Sequence, residues 1–202
     1  NNCAFWCNPC YLIVMPIAVN GSGTITGISV GGLPDGCVDT DTLATSVTRG
    51  KILQVVQTVK TDVTSFTSNS SSTYADISGM SAAITPSSTS NKILVTFTVN
   101  VSTSTSDRNN SIKLLRGSSD ICVGTAGTSL NVTIADKTFA NKYLMNFSHT
   151  FLDSPSTTSA TTYKLQWACE GSGGNQTYYL NRKGSGTGEG TASTITLMEV
   201  AA

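Results

Sequence analysis

Residues 93–101 alternate between apolar and polar side chains with a period of two. Ile93, Val95, Phe97, Val99 and Val101 fall on one face, and Leu94, Thr96, Thr98 and Asn100 on the other. Successive side chains of a strand point to opposite sides, whereas a helix would scatter these apolar residues around its axis. The segment is therefore a strand with one face in a core and one face turned outward. Tyr163, Leu165, Trp167 and Cys169 alternate with Thr162, Lys164, Gln166 and Ala168 in the same way, as do Ile195 and Leu197 with Thr194, Thr196 and Met198.

Shorter strand candidates lie at 51–59, 63–66, 74–77, 82–85, 112–116, 143–152 and 178–180. Turn-forming residues separate the runs at 85–91, 104–109, 153–158, 171–176 and 184–190. Strands spaced this way, with no long helical period, predict an all-β chain. The expected architecture is an antiparallel, jelly-roll-like β-sandwich over 50–202.

Residues 1–49 read differently. The first nineteen are apolar and Cys-rich. Residues 20–49 carry Gly-Gly and Pro-Asp-Gly turn signals without an apolar period. An extended stem and attachment segment is expected, with one short helical turn at 39–44 capped by Asp39 or Thr40. The apolar stretch 11–19 is interrupted by Pro16 and is too short to span a bilayer, so no membrane insertion is expected. It also lacks the basic start of a signal peptide. The chain opens on Asn1 rather than Met, the start expected of a processed product or of a piece of something longer.

Two strand candidates are apolar on both faces. In 51–59, Leu53, Val55 and Val59 share one face while Ile52 and Val56 share the other. In 143–152, Leu144 and Leu152 oppose Tyr143, Met145, Phe147, His149 and Phe151. A strand apolar on both faces is covered on both faces, and a neighbouring subunit is the expected second cover.

Charge and motifs bound the chemistry. The chain holds 12 Lys and Arg against 12 Asp and Glu, a formal net charge of zero, with no basic stripe for a nucleic-acid backbone. The spacing of Cys3, Cys7 and Cys10 superficially matches a three-cysteine iron–sulfur loop, but Pro9 stands where such loops have an aromatic residue. The alternating βα pattern of the enzymes that carry such loops is absent. Tetrahedral zinc needs a fourth ligand, from Cys37 or another chain. The favoured reading is a thiol cluster, buried or joined between chains, around Phe5, Trp6, Tyr11, Leu12, Ile13 and Val14. No cofactor or metal is assigned.

Cys122 and Cys169 are expected as buried free thiols. His149 is the single histidine, and its neighbours Phe147 and Phe151 mark it as a core or interface residue rather than a catalytic base. The carboxylates Asp107, Asp120, Asp136, Asp153, Glu170 and Glu189 select no opposed pair of the kind glycoside hydrolysis requires. No enzymatic activity is expected. Tyr178 and Tyr179 are adjacent in a strand candidate, so one fills the core and the other is displayed. Tyr179 is the candidate receptor contact, a stacking platform for a sugar ring, weighed against subunit packing.

Several segments resemble fibre proteins of tailed bacteriophages, especially those of aquatic bacteria. They are 20–41 (NGSGTITGISVGGLPDGCVDTD), 50–57 (GKILQVVQ), 84–95 (ITPSSTSNKILV), 112–116 (IKLLR), 163–167 (YKLQW) and 193–202 (STITLMEVAA). The first and last are the more specific; the Cys-rich start departs from the pattern. The resemblance implies a homotrimeric β-sandwich on a slender stem, carried on the virion and used to contact a host-surface glycan or protein. The N-terminal segment would join other virion proteins. The alternative is a capsid-decorating or head-fibre protein anchored to the shell by the Cys-rich start. A depolymerase and a bacterial adhesin are further readings.

Overall fold

The computed structural model describes residues 51–68, 73–105, 108–125, 131–138, 143–169, 175–186 and 190–202. These fall within one compact unit, Arg49–Ala202. The expected stem, its Cys3, Cys7 and Cys10 cluster and the turn at 39–44 lie outside the described residues.

Eleven strands and no helix are found among the described residues. They are β1 (Ile52–Lys60), β2 (Thr64–Ser68), β3 (Thr73–Ile84), β4 (Lys92–Thr103), β5 (Arg108–Arg116), β6 (Ser119–Ile121), β7 (Ile134–Thr138), β8 (Met145–Asp153), β9 (Thr161–Cys169), β10 (Gln176–Leu180) and β11 (Ser193–Val200). Every pairing is antiparallel.

The first sheet is organised on β4. One edge of β4 pairs with β8 from Ile93 to Val101. The other pairs with β11 from Lys92 to Thr98 and then, end to end, with β10 from Val101 to Thr103. β1 continues the sheet beyond β11, and β2 continues it beyond β10. In the second sheet the order is β3-β9-β5, and β6 and β7 share the far edge of β5.

The alternation seen in the sequence is the alternation of the sandwich. Ile93, Val95, Phe97, Val99 and Val101 of β4, with Ile195 and Leu197 of β11, meet Ile112 and Leu114 of β5 and Tyr163, Leu165 and Trp167 of β9 in one core. Each such side chain contributes roughly 1.5–3 kcal/mol on leaving water. Trp167 and Tyr178 close the core from opposite sheets, their ring centroids 6.1 Å apart and tilted by 39°.

The structure departs from the sequence reading in four places. The segments 74–77 and 82–85 form one strand, β3, interrupted by a bulge. Asp76 pairs with Gln166, and the next pair is Ser81 with Lys164. The surplus residues are accommodated by Gly79 at φ +80°, a conformation that a side chain disfavours. The expected turn at 104–109 ends earlier, because Arg108 already belongs to β5. β6 and β7 were not expected, since SDI and IADKT carry no apolar period; their partner β5 supplies the ladder. Cys122 is half-exposed rather than buried, because it sits at φ +53° in the loop after β6 and not in a strand.

Candidate functional site

Three buried polar knots hold the sandwich at its ends. At the first, Glu199 follows Ile195 and Leu197 in the inward phase of β11 and is 1% exposed. Its carboxylate accepts hydrogen bonds from Asn91 Nδ2 (2.6 Å), Ser87 N (2.6 Å), Ser87 Oγ (2.8 Å) and Gln54 Nε2 (2.7 Å). Burial pushes the carboxyl upward, but the donors from Asn91, Gln54 and Ser87 outweigh it and hold the pKa at about 2. The knot ties β1, the β3–β4 loop and β11 together.

At the second knot, Arg116 Nη1 of β5 donates to both oxygens of Asp153 at the end of β8, at 3.0 and 2.8 Å. Tyr163 of β9 donates its hydroxyl to the same carboxylate at 2.6 Å. Burial, then the adjacent Asp153, push the Tyr163 phenol far above its usual range. The group bridges the two sheets.

The third knot is Asn181, fully buried at φ +63°. Its amide donates to the carbonyls of Lys60 (2.8 Å) and Asp62 (3.1 Å), and its carbonyl accepts from Ser193 Oγ at 2.6 Å. A left-handed Asn is tolerated because its short polar side chain can satisfy local backbone groups.

Cys122 and His149 are brought together, with Sγ 3.2 Å from Nε2. His149 lies in the inward phase of β8 opposite Phe97, its ring 6.1 Å from that phenyl. Burial raises the Cys122 thiol pKa, the direction opposite to an activated nucleophile. Among the described residues, no group of three or more His, Cys, Asp or Glu side chains is arranged to hold a metal.

Tyr178 and Tyr179 divide as their adjacency requires. Tyr178 is 1% exposed, while Tyr179 is half-buried on the opposite face with the Arg182 guanidinium 4.4 Å above its ring.

The outer faces of the two sheets differ sharply in charge. The second sheet carries cross-strand charges. Lys164 meets Asp76 at 2.8 Å, and Gln166 donates to the same carboxylate, which lie below its usual pKa through these two donors. Lys113 meets Asp120 at 2.9 Å, with its ammonium 3.7 Å over the Tyr74 ring.

The first sheet presents uncharged bands running across its strands. Val55, Met198, Leu94 and Leu152 stand in register on β1, β11, β4 and β8 as an apolar row. Gln57, Thr196, Thr96 and Thr150 form the next row, and Val59, Thr194, Thr98 and Ser148 the one after. Gln57 donates to Thr196 at 2.8 Å; Asn146 donates to Asn100 at 3.0 Å beyond the third row. Lys92, at the margin, is the charged outward residue of this block.

Val55 is 56% and Leu152 47% exposed, and Ile52, Leu53 and Val59 are exposed on the same edge strand. The outward face of 51–59 is thus uncovered within the described unit. The inward face of β1 is mixed instead: beside Val56, Gln54 and Thr58 donate to the carbonyls of Thr85 and Ser81 across the gap to β3. Sequence reasoning missed all three knots and the registered rows. The one available signal was Glu199 itself, an acid in the apolar phase of a strand.

These features define the class: an all-β sandwich with buried polar groups at its ends and, on the outer side of one sheet, uncharged rows in register. No protein-family model matches the chain, and no curated protein matches it. Similar solved structures include a chain of infectious bursal disease virus strain Gx, at 14% identity over 83% of this chain and 46% of that one, TM-score 0.38. VP2 of that virus in a subviral particle is similar at 15% identity, 83% and 45% coverage and TM-score 0.39. A chain of the mud crab dicistrovirus structure gives 9% identity, 98% and 90% coverage and TM-score 0.20. The chain spans less than half the length of the two bursal disease virus chains. With TM-scores below 0.5, these likenesses carry no functional argument.

Proposed function

We propose that this chain is a non-catalytic structural protein of a virus particle, sitting at the particle surface as a capsid-decorating or head-fibre subunit. The observation that carries the reading is the uncharged outer face of the first sheet, with its exposed apolar row from Val55 to Leu152. An apolar row left open to solvent across four strands supports a protein contact on this face. A broad sheet face suits side-by-side packing in or on a shell better than a slender tip. The resemblance of 20–41 and 193–202 to bacteriophage fibre proteins supports a virion setting, with three copies joined through 1–49.

Imaging intact particles labelled with an antibody against 50–202 tests this. Density on the capsid is the expected result; label confined to the tail, or missing from particles, overturns it.

A second reading keeps the fibre tip as a host-attachment device, favoured by the half-exposed Tyr179 ring held by Arg182. Glycan-array binding that disappears in Tyr179→Ala, with the fold intact, would select it. Host-cell and glycan binding unaffected by that substitution would remove it.

A further inference from the structure

We infer that the uncharged face of the first sheet packs against the same face of a second copy of this chain, the two related by a two-fold axis along the strands. The inference rests on the reading above that this face is a protein contact, and it names the occupant.

Charge is the first argument. Between the Val55–Leu152 row and the Asn100–Asn146 pair, the outward residues of β1, β11, β4 and β8 are apolar, hydroxyl or amide. Two identical faces normally repel wherever like charges oppose one another. Here there is nothing to oppose. The charged cross-strand groups, Asp76 with Lys164 and Lys113 with Asp120, are all on the other sheet.

Register is the second. A two-fold axis lying in the contact plane, parallel to the strands and between β11 and β4, keeps each row at its own height and reverses its order. Val55 of one copy then meets Leu152 of the other, and Met198 meets Leu94. The Gln57–Thr150 row falls on its own counterpart, where hydroxyls act as both donors and acceptors. An apolar row thereby covers an apolar row and a hydroxyl row covers a hydroxyl row, the self-complementarity an isologous contact requires. Sheets pack face to face in this nearly aligned way.

Area is the third. Four strands at about 4.8 Å spacing and about 3.3 Å per residue from Lys92 to Asn100 give a footprint of about 500 Å² before side-chain relief is counted. Counted over both copies that is about 1,000 Å², the lower bound for a specific interface.

The test uses the full chain. Sedimentation compares the wild type with Leu94→Glu on the face and Lys164→Glu on the opposite sheet, folding being checked by thermal melting. The Leu94→Glu chain should sediment at a lower assembly mass than the wild type, with association about tenfold weaker or more because a carboxylate would be buried unpaired. Lys164→Glu should leave the mass unchanged. As a geometric readout that leaves Leu94 in place, Val55→Cys chains are mixed with Leu152→Cys chains and joined by a bismaleimide reagent whose reach of about 10 Å matches the spacing of facing sheets. A cross-linked heterodimer above the wild-type background is expected. Equal mass in the wild type and folded Leu94→Glu, or absence of the cross-link, overturns the inference. Particle imaging that places the protein on the capsid without this contact would overturn it and leave the proposed function standing.

Discussion

Asn91 and Glu199 lie 108 residues apart in the chain and are joined by a 2.6 Å hydrogen bond from amide to carboxylate. The acid has no cationic partner among its hydrogen-bond donors; it is held by neutral groups from Asn91, Ser87 and Gln54. Asn91 also accepts from the Ala202 amide at 3.3 Å, so the same knot secures the last residue of the chain. Its energetics follow from the difference between a buried anion with donors and one without.

Replacing Glu199 by Gln keeps the shape but turns one acceptor into a donor facing donors. The expected loss is about 2–3 kcal/mol of unfolding free energy, measured by urea denaturation. The pH dependence has a definite sign. The folded pKa is about 2 and the reference value 4.5, so the stabilisation is complete above pH 4.5 and is lost as pH falls from 4.5 toward 2. In Glu199→Gln the stability profile should be flatter over that interval. An unchanged profile would show that Glu199 is not the titrating brace.

At the bridge between the sheets, Arg116→Met leaves Asp153 buried beside Tyr163 without its cation. A loss of about 3 kcal/mol is expected, against about 1 kcal/mol for Tyr163→Phe, which removes one donor and keeps the ion pair. Because the folded phenol titrates above the unfolded one, its contribution is present below about pH 10 and declines above it. Tyr163→Phe should therefore weaken the alkaline decline of stability measured by chemical denaturation.

The Asn181 position separates backbone from side-chain effects. Both Asn181→Gly and Asn181→Ala remove the bonds to Lys60, Asp62 and Ser193, while only Ala adds left-handed strain. Ala should be the less stable of the two by about 1 kcal/mol in thermal or urea unfolding. Equal stability would show that the φ of +63° relaxes in the variants.

Cys122 should alkylate more slowly than an unhindered thiol at pH 8 and accelerate as pH rises, because burial disfavours its thiolate. Iodoacetamide labelling read by mass spectrometry checks this. Fast labelling near neutral pH would point instead to activation by His149.

Much of the sandwich was legible because apolar alternation is a local signal. β4, β9 and β11 follow from residues 93–101, 163–169 and 194–198 read in isolation. β6 and β7 were not legible, since their side chains carry no period and their pairing depends on β5 lying alongside. The bulge in β3 was hidden for a similar reason: Gly79 marks it only once Asp76 and Ser81 are seen to pair two residues apart on β9. The candidate surface was half legible. Leu53, Val55 and Val59 share one apolar face in the sequence, but which face is outward, and the row that joins Val55 to Leu152, come from three separate ladders.

From its sequence alone, this protein was bound to form strands, with particular side chains turned inward and polar bands left outside. Those properties depend only on which residue follows which. The tertiary structure alone determined which strands lie side by side, and hence that Glu199 meets Asn91 and that four distant apolar residues align. Register between strands is set by the packing of the whole core, and a slip of one residue would send each of these side chains to the opposite face.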